Sequence, residues 1–474
     1  MKTRITLILT CFILIKPLSI WLYYQHIYPQ SYDYFSSFNQ NGATYSSNEQ
    51  ETEHDGFPTI YIKTSVDEDP TYEDNLWIAS NFTFDGFNSL SASASDVGEI
   101  SSHKNGTWNM LSEKISLYLR FEEQQPFFGE ATKTYDWILL ANASDRSLLR
   151  NYSALHLSRQ LSGLDWVPLA RPVHLYINDD YIGVYLLTQK RTSAHQYLGL
   201  ATNSEPEISD YFFELNWQAD HDDTNNTNFI RVNSQQFGVI GDASEDAGFD
   251  RDYLYEIIYP EAAFLTNDHQ DYLQSFLTYI GNLMRDEDFE ALSRLVDIGS
   301  FIDFYLVQEI FKNKDAGFEN VFLHVSGQGT NRRLHHGSPW DFDQTAGNAY
   351  SLEAQDQTPF GGLYVAQRHY WYWYLIYMPE FFDLVVYRWN SVVRNEALLM
   401  IDYIGRVTNA HHNEFERDFN QHDILDQSMW SSPEHLYEIQ TFAGHVTYLT
   451  EFLTARVHYL DDIFNGIIPR WRWQ

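Results

Sequence analysis

The chain has 474 residues, and its 65 acidic residues against 30 lysines and arginines give a formal net charge of −35. Such an excess of acid disfavours binding to nucleic-acid phosphates or to an anionic membrane surface, so we expect no nucleic-acid partner. Apolar residues make up 44% of the chain and aromatic residues 16%, which is enough for large cores and atypical of a disordered protein. Cys11 is the single cysteine, which excludes an internal disulfide and a multi-cysteine zinc site.

The N-terminal residues 1–27 have the pattern of an export signal. Lys2 and Arg4 precede a mostly apolar run over residues 5–15, and no small-residue cleavage site follows. We therefore expect a retained signal anchor in the cell membrane, with the folded body outside the cytoplasm. A cleaved signal peptide, and hence a secreted protein, is the alternative.

Residues 28–56 are rich in Ser, Asn, Gln, Tyr and acid, which is typical of a flexible linker. Residues 57–190 are then predicted to form a strand-rich domain. One helix is expected inside it, with Asp145 as its N-cap and its end at Gly163. The predicted strands cover residues 57–63, 114–121, 135–140, 173–177 and 181–187, the last two forming a hairpin.

The remaining residues, 191–474, are predicted to form a larger helical domain. The clearest helix covers residues 301–311, with Ser300 and Asp303 placed as a capping box. Residues 254–258 are assigned to the start of a first helical segment. Further helices are predicted at residues 272–284, 289–296, 381–400, 401–419 and 438–464. A strand-rich lobe followed by a helical lobe is a bilobal α+β architecture, with the natural ligand cleft between the lobes.

Several common catalytic motifs do not occur in the chain. The sequence has no GxxxxGK[ST], GxGxxG, GxSxG or HExxH segment. P-loop hydrolysis, Rossmann-type dehydrogenation, the usual α/β-hydrolase chemistry and the common zinc peptidases therefore lose their main support. The lack of a glycine-rich loop also argues against a conventional protein kinase.

Polar residues suited to chemistry concentrate after the predicted helix at residues 301–311. A polar loop carries Asp315, and a strand is predicted to begin at Asn320. After a turn, a returning strand is expected to carry Asp341 and Asp343 on one face, because side chains alternate along a strand.

These residue types suit phosphoryl transfer. Carboxylates and an amide oxygen are ligands for Mg²⁺, and a loop aspartate can accept the proton of an attacking hydroxyl. A turn-forming aspartate and a solvated strand face are the structural alternative. The apolar frame of Phe311, Trp340 and Phe342 favours a site, because a solvated loop has no need of it. The residues by themselves leave both interpretations open.

The order of motifs resembles the CotH-like atypical kinases, a family known from a spore-coat protein kinase with a distant protein-kinase fold. The resemblance extends over residues 57–464, nearly the whole predicted folded part. It rests on Asn105-Gly-Thr-Trp108, Trp137 to Asn151, the hairpin Val173 to Leu187, Asn313-Lys-Asp315 with Asn320, Pro339-Trp-Asp341-Phe-Asp343, and Arg388-Trp389.

The resemblance implies roles for individual residues. Asp315 corresponds to the catalytic aspartate, and Asn320 and Asp341 to metal ligands, with Asp343 as a second acid at the metal site. The implied cofactors are ATP and Mg²⁺. Lys114 is the main candidate for pairing with the ATP phosphates, and Arg120 is the alternative.

The chain departs from the family pattern in the nucleotide-facing lobe. His103-Lys104 stands where the family has Arg-Gly, Thr188-Gln189-Lys190 stands for Thr-Glu-Lys, and Lys114 stands alone where two basic residues are usual. The resemblance implies a kinase acting on Ser or Thr of a surface or envelope protein, and the acidic composition favours a basic acceptor. A catalytically inactive scaffold or adhesin of the same fold is the alternative.

The sequence is compatible with a further function and contains two histidine doublets. The same aspartates would also suit a metal-dependent or paired-carboxylate hydrolase acting on cell-wall glycans. The doublets His335-His336 and His411-His412 are expected to be exposed rather than to bind metal.

Overall fold

The computed structural model describes most of the chain from residue 56 onward. The predicted anchor at residues 1–27 and all of the predicted linker at 28–56 except Gly56 lie outside the described residues. Within the described part, no helix is both long and apolar enough to cross a membrane. The described residues are 56–65, 77–87, 90, 94–102, 114–129, 133–215, 228–232, 253–317, 319–337, 339–349, 360–425, 427 and 432–467.

Seven strands form a closed barrel in the order β1-β2-β3-β4-β5-β7-β6. Every neighbouring pair is antiparallel except β1 with β6, whose parallel pairing closes the barrel. Inward positions are large and apolar, because alternate residues of each strand face the interior. The strands are β1 Thr59–Thr64, β2 Ile78–Asp85, β3 Ala94–Ser102, β4 Leu117–Gln125, β5 Thr134–Leu140, β6 Ala170–Ile177 and β7 Asp180–Gln189.

The barrel core is largely aromatic. The ring of Phe121 contacts Phe82 edge-on at a centroid distance of 4.7 Å, and the ring of Phe127 contacts Trp137 at 5.0 Å. Edge-to-face pairs of this kind are favourable beyond the area that they bury. The predicted strand-rich first part of the chain therefore has its own hydrophobic core.

Helix α1, Arg150–Arg159, follows β5 and is buried along most of its length. Its N-cap residue is Leu149 rather than the predicted Asp145. Asp145 nevertheless accepts hydrogen bonds from the backbone N–H groups of Ser147 (2.9 Å) and Arg150 (2.8 Å). The Asp145 carboxylate therefore accepts an N–H group at the start of the helix, although Asp145 is not the N-cap residue.

A second sheet of five strands has the order β12-β11-β8-β10-β9. Residues 254–258 were predicted to be helical, and that prediction is wrong because they lie in β10, paired on both sides. The strand is rich in Tyr and Ile, which favour a buried sheet position. Its strands are β8 Tyr211–Leu215, β9 Phe229–Val232, β10 Tyr253–Tyr259, β11 Val321–Ser326 and β12 Arg333–Gly337.

Helices make up most of the remaining structure after β8. Helix α5 is buried at every residue, and its N-cap is Asp297, whose side chain accepts the Ser300 N–H at 2.7 Å. The predicted capping box is therefore wrong, and Asp303 instead pairs with Arg388 in the core. The helices are α2 Ala194–Tyr197, α3 Asn267–Arg285, α4 Phe289–Leu292, α5 Ile298–Phe311, α6 Tyr364–Arg368, α7 Tyr370–Leu375, α8 Pro379–Arg388, α9 Arg394–Ala410, α10 His412–Gln421 and α11 Phe442–Phe464.

Helix α10 is attached to the barrel through a buried ion pair. Lys114 Nζ lies 2.9 and 3.0 Å from the two carboxylate oxygens of Asp418, and neither residue is more than 2% exposed. Asp418 Oδ1 also accepts the Val184 N–H at 2.7 Å. Gly183 has φ +137°, and a Cβ there would lie 2.4 Å from the same oxygen, so only glycine permits this approach.

The class of the fold is mixed α+β, as predicted. The barrel and helix α1 come first in the chain, and the second sheet and the remaining helices follow. The five-stranded sheet is the main addition to the predicted helical second part.

Candidate active site

The loop that carries Asp315 begins where helix α5 ends. Lys312, the C-cap residue, adopts the left-handed conformation with φ +48°, which turns the chain out of the helix. Asn313 Oδ1 accepts the Asp315 N–H at 3.0 Å, and Lys314 Nζ lies 2.7 and 2.9 Å from the Asp315 carboxylate oxygens. The loop therefore holds Asp315 by its backbone and by its side chain.

Asp341 and Asp343 follow β12 but do not lie on it. The strand ends at Gly337, and Asp341 has φ +61°, so the predicted shared strand face is wrong. Phe342 between them is fully buried, and its N–H donates to Asn151 Oδ1 at 2.7 Å. This anchoring to helix α1 leaves the two aspartates on an irregular segment with a fixed backbone.

The structure brings the predicted polar residues together. Asn320 Nδ2 donates to Asp341 Oδ2 at 3.2 Å. Burial, together with the negative charges of Asp343 and Asp315, raises the pKa of Asp341 well above its ordinary value. Burial also raises the pKa of Asp343, and the negative charge of Asp315 adds to this increase. The three carboxylates therefore lie within electrostatic reach of one another, with Asn320 in direct contact.

Several hydrogen bonds fix the Asp343 side of the cluster. The Ser144 hydroxyl donates to Asp343 Oδ2. Asn348 Nδ2 donates to the backbone oxygens of Ser144 (2.9 Å) and Asp343 (2.8 Å). Arg150 Nε donates to the Thr345 oxygen at 2.9 Å. Loops after β5 and β12 are thereby joined, which positions the carboxylates before any ligand binds.

Lys314 supplies positive charge at the centre of the cluster. Burial works against its charge, but Asp315, with help from Asp343 and Asp341, raises the pKa of Lys314 above its ordinary value. Lys314 therefore remains a cation at neutral pH and offsets part of the acidic charge.

Two ionisable residues at the site, Arg191 and Glu214, lie outside the motifs that predicted it. The Arg191 guanidinium lies 5.6 Å from the Trp340 ring centroid, and its charge lowers the pKa of Asp341. An Arg191 nitrogen is 3.9 Å from Glu214, whose pKa burial raises to about 6. The Asn320 N–H hydrogen-bonds to Glu214. The one available signal was the position of Arg191 directly after the Thr188-Gln189-Lys190 segment.

The two predicted phosphate contacts have partners of their own. Lys114 lies in the buried ion pair with Asp418. Arg120 is about half exposed, pairs with Asp136 at 3.0 Å and covers the Trp77 ring at 4.4 Å. Their roles toward a nucleotide stay predictions.

The donor set suits Mg²⁺. Asp341, Asp343 and Asn320 offer hard oxygen ligands, and Mg²⁺ takes a few of these and keeps positions for water or phosphate. Burial first, and then the charges of neighbouring carboxylates, raise the pKa values of Asp341 and Asp343, so a cation here would stabilise their charged forms. The residues present therefore fit a divalent ion.

The comparison with protein families agrees with the geometry of the site. The family model described as CotH kinase protein matches residues 103–460, which is more than half of the chain. No curated protein matches the chain. The match includes Asp315, Asn320, Asp341 and Asp343 and confirms the resemblance drawn from the motifs. The chain belongs to the CotH kinase protein family.

Proposed function

We propose that the protein transfers the γ-phosphoryl group of ATP to a Ser or Thr hydroxyl of a protein acceptor. The observation that carries this proposal is the cluster of Asp315, Asp341 and Asp343 with Asn320, in a member of a kinase family. Phosphoryl transfer relies mainly on positioning and on charge compensation, and this site is built for both.

The proposed step assigns a separate task to each group. The acceptor oxygen forms a bond to the γ-phosphorus while the bond to the β,γ-bridging oxygen breaks, and ADP leaves. Asp315 orients the acceptor hydroxyl and takes its proton. Asp341, Asn320 and Asp343 would hold Mg²⁺, which when bound neutralises charge on the phosphate oxygens.

Cations near the carboxylates would meet the remaining phosphate charge. Arg191 and Lys314 both act on the pKa of Asp341, so they lie close to the proposed metal ligands. Lys114 remains a candidate of a different kind. In protein kinases the phosphate-binding lysine pairs with an acidic residue on a helix, and Lys114 pairs with Asp418 on α10.

The proposal includes a two-lobed, kinase-like architecture. The barrel would form the nucleotide-facing lobe, and the second sheet and helices would form the other. Two contacts between the parts support this: Ser144, after β5, bonds to Asp343, and Asn151 on α1 bonds to Phe342. The reacting groups would then lie where the lobes meet.

The cellular setting is also a proposal. The apolar run near the N-terminus supports a single membrane anchor, with the folded body outside the cytoplasm and an acceptor on the cell surface or envelope. The net charge of −35 favours a basic acceptor.

Transfer of labelled phosphate from ATP with Mg²⁺ to a basic Ser/Thr-containing protein tests the activity. Asp315→Asn should lower the rate about 10²- to 10⁴-fold, because it removes the proton acceptor while keeping the shape of the side chain. Asp286→Asn is the matched control, because Asp286 is exposed and belongs to the end of α3.

Equal label transfer by wild type and Asp315→Asn would refute the proposed mechanism. Folded wild-type protein that binds no ATP with Mg²⁺ in calorimetry would instead indicate an inactive scaffold. That alternative has its own support, because Lys114 and Asp418 are enclosed together in the interior.

A further inference from the structure

A second group of possible metal ligands lies on the hairpin formed by β11 and β12. His324 and His335 are directly opposite each other in this antiparallel pair, so both side chains leave the same face of the sheet. Their rings stack with a centroid distance of 4.4 Å and an interplanar angle of 11°. Asp165, from the loop between α1 and β6, reaches both of them.

The ligand atoms of these residues are close enough to share one ion. Asp165 Oδ2 lies 3.3 Å from His324 Nε2 and 2.7 Å from His335 Nδ1, and one ligand atom from each residue lies within 4.8 Å of the others. Ligands around a tetrahedral ion with bonds of about 2.0–2.2 Å are roughly 3.3–3.5 Å apart, so small side-chain shifts would suffice.

Without a metal ion, direct pairing holds the cluster together. His335 Nδ1 and Asp165 Oδ2 are 2.7 Å apart, the distance of a charge-assisted hydrogen bond, and Asp165 also hydrogen-bonds to His324. The lone pair of the ring nitrogen that holds this proton is also a metal-ligand position, so a divalent cation would bind in place of the proton.

The two histidines of the doublet at 335 and 336 have different surroundings. His336 is fully buried and stacks on Phe304 with a centroid distance of 3.7 Å, so the expectation that this doublet is exposed is wrong for His336. His335 faces the opposite side of the sheet and meets Asp165. The strand thus separates a core histidine from one that is available as a ligand.

We propose that Asp165, His324 and His335 form a binding site for one divalent transition-metal ion of the Zn²⁺ type. Two imidazoles and one carboxylate suit such ions, whereas Mg²⁺ prefers oxygen donors. Asp165 is 31% exposed, which gives an ion a path from solvent, while His324 is 5% exposed. Three protein ligands leave a fourth position for water.

This site is distinct from the carboxylate cluster, but the two are connected by the hairpin of β11 and β12. β11 starts directly after Asn320, and β12 ends shortly before Asp341. A bound ion would tie the loop of Asp165 to the middle of that hairpin. The ion would thereby restrict the hairpin that carries two of the proposed active-site ligands.

Zinc titration of the full-length protein after treatment with a chelator tests the proposal. We expect one zinc ion per chain by calorimetry and elemental analysis, and four-coordinate visible absorption when Co²⁺ replaces zinc. Asp165→Asn and His335→Gln should each weaken zinc binding at least about 100-fold, because changes to groups behind metal ligands already cost 10- to 100-fold. Excess Mg²⁺ should not displace the zinc.

Two controls separate this site from other places where zinc can bind. His412→Gln changes an exposed histidine near Glu416 and should leave zinc affinity unchanged. Asp341→Asn alters the carboxylate cluster and should also retain zinc binding, whatever its effect on phosphoryl transfer. Circular dichroism establishes that each variant is folded, and Asp165→Asn, at a partly exposed position, is the variant best suited to that requirement.

No zinc binding by folded wild-type protein, or equal zinc affinity in wild type and folded Asp165→Asn, would overturn the proposal. A zinc-dependent rise in melting temperature in wild type that is lost in Asp165→Asn would support it, because an ion that binds only the folded state stabilises that state.

Discussion

Arg191 contributes a buried positive charge near the carboxylate cluster, where it lowers the pKa of Asp341. Its guanidinium lies over Phe322 at 5.4 Å and over Trp340 at 5.6 Å, so water has little access to it. Its Nε has no hydrogen-bond partner among the described residues. An arginine held between rings with donors left over is suited to a planar anionic group such as a phosphate.

Arg191→Gln should therefore weaken binding of ATP with Mg²⁺ by about 10- to 100-fold, since hydrogen bonds to charged groups contribute about 1.5–3 kcal/mol. Calorimetric titration with ATP and Mg²⁺ measures the effect. Arg333→Gln is the matched control, because the hydrogen bonds of Arg333 go to the backbone oxygens of Thr330 and Arg332 near the surface. Unchanged affinity in Arg191→Gln would remove Arg191 from the nucleotide site.

The sequence allowed some of these residues to be predicted because they lie in short, ordered motifs. Asp315, Asn320, Asp341 and Asp343 fall within one stretch of a helix, a loop and a hairpin. Arg191 and Glu214 are distant in the chain and reach the site through the fold, so no local spacing identifies them.

At the scale of elements, buried ion pairs determine how the helices are held. Arg456 on α11 and Glu309 on α5 are both fully buried, with a nitrogen–oxygen distance of 2.7 Å. Arg456 also donates to the backbone oxygens of Phe360 (2.9 Å) and Gly362 (2.6 Å). Glu309 accepts the N–H groups at the start of α6. One pair thereby joins two long helices and a third segment.

Arg456→Met should lower the free energy of unfolding by about 3–5 kcal/mol, because it leaves the Glu309 carboxylate buried without its counter-charge. Denaturant unfolding measures this loss. Arg294→Met is the control, because its pair with Glu290 is exposed and such pairs contribute less than about 1 kcal/mol.

The double variant Arg456→Met with Glu309→Gln completes the test. The combined loss should be smaller than the sum of the single losses, because neither partner is then left charged alone. Strictly additive losses would show that the two residues do not act as a pair.

Strand β10 shows why some elements could not be predicted. Its apolar residues satisfy a helical pattern nearly as well as a strand, and short apolar segments are ambiguous. β8 and β9 pair with β10 on either side and so determine that it is a strand. Both are separated from it by more than a short turn in the sequence, so local patterns do not reveal the pairing. Barrel closure is another non-local event, because residues 59–62 pair in parallel with residues 174–177.

At the scale of the whole molecule, buried neutral histidines make stability depend on pH. His445 on α11 is 2% exposed. Burial, together with the positive charges of Arg146 and Arg150, lowers the pKa of His445 to about 4, while the Ile439 carbonyl and Asp145 oppose the shift. The unfolded chain has the ordinary histidine pKa of about 6.5.

The stability that neutral His445 provides is complete above pH 6.5 and is lost as the pH falls toward 4, because only the unfolded chain takes up the proton in that interval. The contribution is at most about 1.4 kcal/mol per pH unit. Denaturant midpoints between pH 7 and 5 should therefore fall less steeply in His445→Gln than in wild type. His412→Gln should follow wild type, and an identical slope in His445→Gln would contradict the prediction.

The ion pair between Lys114 and Asp418 has a consequence for the order in which the chain is made. The two residues are 304 positions apart, so a ribosome completes the whole barrel long before Asp418 exists. Until then the barrel holds a lysine that cannot be buried alone at acceptable energy. The barrel, which is synthesised first, can therefore bury Lys114 in its final pairing only after helix α10 has been synthesised.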